Sequence, residues 1–451
     1  MLTSLMSLTI TSPRLSPPIP GRSLTPTMGD PNSIVGLSLR LARAYGLRPR
    51  HALAPIALVA LATAALALRP HPPPAAAPNT SADADRVWFA EPTLVATDEG
   101  WLLGYSRSER RAQRQVAVVA LRRDGTLAST PLVLSTDTLA GRPTLARVGD
   151  RYALAWISLP DDGLRSTVAS FAVVDGHGTL RVPTRRLDSF GTRVFSLSAA
   201  SNGRHFAFAA PTFDDGRPIA LAVHAPDGTP VADLRLPHEA QALSLGSVGN
   251  DWLLPFARHD ARRNRSRLSV LRLSPDGALL NTLELGGFEG EVHHLRARTR
   301  GRATALVWGQ DGTWWQRHEP YFARLDEGRV EVSPMSLGAR QTSSDRDVVC
   351  DDLACIFTWV EVGPGPHDQP EWMLERRTLA GHPLGSPLRL PSRGGASFYE
   401  GPSVAGRNDG RGMLAVLPVS GRDGPSPGAL LVQRLDAEGR PQGAPRPLPL
   451  P

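Results

Sequence analysis

Three observations predict an all-β chain: a seven-bladed β-propeller of four-stranded antiparallel blades, preceded by one N-terminal hydrophobic helix. After residue 90 a repeat of about 51 residues recurs seven times, and internal periods of that size mark propellers, solenoids or arrays. Each repeat holds short runs rich in Val, Leu, Ala and aromatics, punctuated by Gly, Asp and Pro, which is strand-and-turn patterning. The third run of each repeat leads into a glycine turn, at Gly125, Gly178, Gly228, Gly277, Gly328, Gly381 and Gly439, and by subtraction these lie 49 to 58 residues apart.

The second repeat shows the four strands most plainly: Thr144–Arg147, Arg151–Ser158, Ser166–Val174 and Arg181–Leu187. The repeats open on Pro92-Thr93-Leu94, Pro143-Thr144-Leu145, Ser196-Leu197-Ser198, Ala242-Leu243-Ser244, Val292-His293-His294, Asp347-Val348-Val349 and Pro402-Ser403-Val404. Asp124-Gly125, Asp227-Gly228 and Asp276-Gly277 suit tight hairpins, because both residue types tolerate positive φ. The second run usually ends in an aromatic, at Tyr105, Trp156, Phe256, Trp308 and Trp359. The third and seventh repeats place small or aliphatic residues there, near Ala210 and Leu417. A flat side chain in that column fills space between neighbouring twisted sheets, so packing explains it better than ligand stacking. Radial closure leaves few free strand edges, which favours a ring over an open all-β array.

The chain divides into a disordered, basic region over 1–50, a hydrophobic segment over 51–69, a spacer over 70–85 and the propeller over 86–451. Ala52–Leu68 is apolar but for Thr63 and is broken only by Pro55; Arg40, Arg43, Arg48 and Arg50 precede it and Arg69 follows. Positive charge before such a run predicts a cytoplasmic N-terminus with the remainder exported. An uncleaved membrane anchor is favoured over a signal peptide cut near Ala65-Leu66-Ala67, with Met28 a later potential start. The Pro/Ala-rich stretch His71–Pro78 cannot bury a core and reads as a stiff spacer.

The net charge is +7, and every basic residue apart from histidine is Arg. Residues 1–69 hold seven Arg and one Asp, or +6, so the remainder carries about +1 (7 − 6). A near-neutral propeller argues against nucleic acid as partner. The two cysteines, Cys350 and Cys355, flank a predicted hairpin and predict a disulfide and an oxidising compartment. A redox pair lacks the Cys-x-x-Cys spacing, and a metal site lacks further ligands nearby.

No catalytic constellation emerges. The Gly-x-Ser-x-Gly elbow, the His-Glu-x-x-His pair and the Walker and dinucleotide glycine patterns are all missing. His293 and His294 are expected on opposite faces of a strand, unable to share a metal. Asp311-Gly312-Thr313-Trp314 resembles an Asp-box turn only superficially: it lacks the residue between Asp and Gly, occurs once, and is not read as one. Asp161-Asp162-Gly163 and Asp214-Asp215-Gly216 read as turns rather than calcium loops. No cofactor or metal is predicted.

Loops after the second strand emerge on one face of the disc and look long: Ser106–Gln115, Arg258–Arg267, Gly309–Pro320 and Val360–Pro370. Variable loops on a rigid scaffold carry binding. That face offers Arg262, Arg263, Arg265, Trp314, Trp315, Arg317 and His367 as binding candidates, Trp and Arg being common interface anchors.

The Pro-x-Leu openings, strands ending in Trp and Asp-Gly hairpins resemble uncharacterised exported or membrane-anchored propeller repeat proteins of GC-rich bacteria, over residues 91–450. The third and fifth repeats depart from the pattern, lacking the opening proline. The resemblance implies export and a binding or scaffolding role, and supplies no catalytic residue. The expected function is a non-catalytic extracytoplasmic scaffold at the cell envelope, its partner an envelope protein or glycan. The alternative is an enzyme acting on glycans or other envelope substrates. An enzyme should gather acids around the channel at the first-strand starts, where Asp347 reads as the only one.

Overall fold

The chain divides into two parts, Met1–Ser81 and Ala82–Pro451. The computed structural model describes residues 88–451 apart from 111–112, 136–138, 160–165, 192, 195, 213–217, 311–318, 338–346, 351–353, 362–370, 391–401, 407–411 and 420–428. The predicted hydrophobic segment and spacer lie outside these residues. Among the described residues no helix is long and apolar enough to cross a membrane.

Each repeat is an antiparallel meander running from an inner to an outer strand. In the second repeat these are Leu139–Val148, Arg151–Leu159, Val168–Asp175 and Leu180–Arg186. All eight residues of Val168–Asp175 are buried, because a middle strand is covered on both faces, whereas the outer strand buries only Val182. The inner strands are Trp88–Ala96, Leu139–Val148, Ser198–Ser201, the interrupted pair Ala242–Leu243 and Gly246–Val248, Val292–Arg300, Asp347–Cys350 and Ser403–Gly406. Residues from all of them line two successive cavities along one channel, which defines a β-propeller.

The glycine turns show how the ring is held. All seven glycines have φ between +76° and +88°. Each seats on the repeat before it. A Cβ on Gly277 would meet Leu234 Cδ1 at 2.0 Å, and one on Gly125 would meet Val432 Cγ1 at 2.6 Å. The Gly125 contact joins the first repeat to the last. Closure there uses no exchanged strand, since every strand of the last sheet comes from Ser403–Pro447. Side chains close the ring instead: Leu94, Trp101, Leu103 and Tyr105 pack with Leu414, Val416, Leu430 and Val432. The Leu94 amide also donates to Ser403 Oγ at 3.0 Å.

That last bond belongs to a column. The Leu245 amide donates to Ser198 Oγ (2.9 Å), Ala297 to Ser244 Oγ (2.9 Å) and Val404 to Asp347 Oδ2 (3.3 Å). A side-chain oxygen on one inner strand thus accepts from the backbone of the next. The fifth repeat has Arg296 at this position, which cannot accept. There Arg298 reaches across instead, donating through Nε and Nη2 to both oxygens of Asp347 at 3.0 Å. Asp347 raises the already high pKa of Arg298, and the pair bridges the seam between the fifth and sixth repeats, where the column has no acceptor.

The predicted fold class needs two corrections. The strands form six hydrogen-bonded sheets, not seven separate four-stranded blades, the first with eight strands and another with five. The first two repeats merge because Leu139 extends back far enough to make one parallel bridge with Arg114. The five-stranded sheet arises where the inner strand breaks between Leu243 and Gly246. The expected N-terminal helix has no support: a 3-10 turn, Asp188–Phe190, is the one helical element among the described residues.

Cys350 and Cys355 face each other across the Asp347–Cys350 and Ala354–Glu361 strands, 4.0 Å apart at Cα, and form a disulfide. The loop it closes is short, so its expected contribution is on the order of 2 kcal/mol. Replacing both cysteines by alanine should lower the urea midpoint accordingly while leaving the m-value unchanged. An unchanged midpoint would show that the hairpin holds its register unaided.

Candidate functional site

One mouth of the channel is a cavity of about 380 Å³, open to solvent and lined by every inner strand. Its rim is built from bulges. Pairing with the second strand slips between Ala90 and Thr93, between Gly141 and Thr144, and between His293 and Arg296. Within these slips Glu91 (φ 50°), Arg142 (φ 54°) and His294 (φ 51°) adopt the left-handed conformation. Non-glycine residues rarely do so, and such strain gathers where a side chain must be aimed. All three line the mouth.

Glu91 is held firmly. Its Oε2 accepts from Ser106 Oγ at 2.7 Å and from the Arg142 amide at 2.6 Å, and Arg114 Nη1 lies 3.3 Å from Oε1. A side chain at Gly141 would collide with that carboxylate, 2.7 Å away. Across the mouth stand Glu291, His293, His294 and Arg296. His293 Nε2 lies 3.6 Å from Glu291 Oε2. Burial raises the Glu291 pKa, opposed by His259. Among the described residues Arg296 makes no ion pair.

Sequence reasoning placed one acid at the channel. The structure gathers Glu91, Glu291 and Asp347 there, with Arg142, Arg296 and Arg298. Glu91 lies within a bulge, just ahead of Pro92, and Glu291 sits one residue before its strand begins at Val292, so neither falls on a strand start. The histidine pair also differs from expectation. The bulge at His294 breaks the alternation of the strand, so both rings line the same mouth with centroids 6.2 Å apart. Among the described residues no three His, Cys, Asp or Glu are grouped to hold a metal ion.

Arg262, Arg263 and Arg265 occupy the tip of a hairpin between Asp251–Asp260 and Arg265–Leu273, and line a separate cleft. Much of the predicted loop Arg258–Arg267 is therefore strand, because polar residues in a projecting two-stranded arm read like a loop. Trp314, Trp315, Arg317 and His367 lie outside the described residues, as do the turns at 161–163, 214–216 and 311–314. Ser266 Oγ is within 3.2 Å of His259 Nδ1, but the serine is fully buried and donates to the Gly290 carbonyl, so it is a strut and not an exposed nucleophile.

No protein-family model and no curated protein matches the chain. Solved structures are similar to it in part. The β-propeller domain of the Trilobed protease from Pyrococcus furiosus, described as having an open velcro topology, is 12% identical, with TM-score 0.45, over 78% of this chain and 98% of that one. Prolyl oligopeptidase B from Galerina marginata is 12% identical, with TM-score 0.46, over 82% of this chain and 52% of that one. Pyrococcus horikoshii acylaminoacyl peptidase is 10% identical, with TM-score 0.45, over 78% and 52%. The chain spans about half the length of the two peptidases. Likenesses at this level assign neither activity nor partner.

The reading as an envelope scaffold without chemistry of its own, with a glycan-acting enzyme as alternative, is withdrawn. The preference for a scaffold rested on Asp347 being the lone acid at the channel, and six charged groups converge there. The similar solved structures belong to a protease and to peptidases, a likeness that supports neither reading.

Proposed function

We propose that the chain gathers peptides, working outside the cytoplasm and taking the carboxylate end of an extended peptide into the channel mouth. The observation that carries this reading is the trio of left-handed residues, Glu91, Arg142 and His294, spaced around one opening. The size of the mouth suits a short chain segment and not a folded partner. The guanidinium of Arg296 matches a carboxylate. Glu91 and Glu291 supply acceptors for peptide N–H groups. Below the rim the channel is walled by small residues, including Ala96, Ala146, Ala199 and Gly246, which leave room for an extended backbone. The disulfide supports an extracytoplasmic site of action, since such bonds persist in oxidising compartments.

The test is fluorescence anisotropy with N-terminally labelled Ala-Ala-Ala-Ala, bearing either a free or an amidated C-terminus. The free carboxylate should bind about tenfold more tightly, as expected for one charge-assisted contact. Arg296→Ala should remove that preference. Equal binding of the two peptides, or binding of neither, would defeat the proposal.

A further inference from the structure

We infer that the arginine hairpin beside the mouth is a second subsite, selecting peptides with acidic residues upstream of their C-terminus. The inference rests on the peptide reading of the mouth and specifies its substrate class.

The hairpin cleft measures about 1020 Å³. Arg258 and Arg263 are already paired, with Glu239 at 3.2 Å and Asp260 at 3.8 Å. Arg262, Arg265 and Arg267 line the same cleft, are exposed, and make no ion pair among the described residues. Exposed guanidiniums crowded into one concavity repel one another and are relieved by an anion.

The floor of the cleft is a hollow left by missing side chains. Gly287 lies opposite Arg267 across the strand pair, and a Cβ there would meet nothing nearer than the Ser266 carbonyl at 3.9 Å. A smaller cavity of about 390 Å³ shares Glu239, Arg258, Arg267 and Glu284 and extends the groove to His238 and Phe256. These rings lie 5.4 Å apart. A groove that alternates cations, carboxylates and an aromatic wall suits a chain of mixed side chains.

Two hydrogen bonds tie the hairpin to the rim of the mouth. Ser266 Oγ donates to the Gly290 carbonyl at 2.7 Å, and the Gly290 amide donates to the Asn264 carbonyl at 2.8 Å. Glu291, on the rim, follows at once. A peptide with its terminal carboxylate at Arg296 would leave the mouth over this junction and lay its preceding residues along the hairpin.

The experiment compares labelled Glu-Asp-Glu-Asp-Ala-Ala-Ala-Ala with Gln-Asn-Gln-Asn-Ala-Ala-Ala-Ala, both with free C-termini. The acidic peptide should bind about tenfold more tightly at low salt, with the gap closing as salt rises. The triple variant Arg262→Gln, Arg265→Gln, Arg267→Gln should erase the gap and leave the neutral peptide unaffected. Gly287→Leu, which fills the hollow and keeps every charge, should also erase it. Equal affinities in the unmodified protein would overturn the inference, as would tighter binding of a labelled thymidine oligonucleotide. If the neutral peptide fails to bind while the acidic one binds through the three arginines, the reading of the mouth falls and the subsite stands.

Discussion

Arg298→Ala is expected to destabilise the protein by about 2–3 kcal/mol, less than the cost of breaking a fully buried ion pair because the Arg298 side chain is about one-third exposed. Asp347 is 3% exposed, and both its oxygens accept from Arg298. The Val348 and Val404 amides also donate to it, at 3.0 and 3.3 Å, but neutral amides cannot balance a buried charge alone. The variant therefore strands a carboxylate at the seam where the column of side-chain acceptors is interrupted. Arg298→Lys should recover only part of the loss, because an ammonium cannot make the two-pronged contact. Adding Asp347→Asn to Arg298→Ala should recover more, because the buried charge is then gone. Urea midpoints for the four proteins check the ordering. A single alanine variant with the wild-type midpoint would show that the seam is held by packing alone.

The column behind this prediction was in view in the sequence but misaligned. Thr93, Thr144 and Ser403 follow prolines, which mark the strand start, and there the reading was in register. The third to fifth repeats lack that proline. Their equivalent residues are Ser198, Ser244 and Arg296, so the openings read at Ser196, Ala242 and Val292 began one to three residues early. Backbone pairing fixes such a register, and side-chain type alone does not. The glycine turns were legible for the opposite reason: positive φ at a crowded seat admits little else, as at Gly277 against Leu234. The mouth was the least legible feature. Glu91, Arg142 and His294 act together only because a bulge turns each one toward the channel, and no residue type announces such a bulge. The merging of the first two repeats into one sheet rests on a single bridge, Arg114 with Leu139, which leaves no pattern in composition.

Trp156→Ala is expected to cost about 3–5 kcal/mol, through lost burial and the cavity left behind. Trp156 is fully buried and packs against Leu102, Val116, Val118 and Leu134 of the first repeat. Its column repeats this arrangement. Tyr105 packs on the seventh repeat, Phe256 on the third, Trp308 on the fourth and Trp359 on the fifth. The third repeat lacks the aromatic, and its small Ala210 shares a cluster with Phe171, Phe190, Phe206 and Phe208 from neighbouring positions. The aromatic is thus a wedge between successive sheets, filling a gap that their twist would otherwise leave. Among the described residues the Trp156 indole nitrogen has no hydrogen-bond partner, so the ring contributes through volume and contact. Trp156→Phe should accordingly cost well under half as much as the alanine variant. Neither change should alter peptide binding at the mouth once the protein is folded, because Trp156 does not line it. Thermal melts together with anisotropy separate the two roles. An alanine variant that melts like the wild type yet loses the peptide would assign the column to recognition instead of packing.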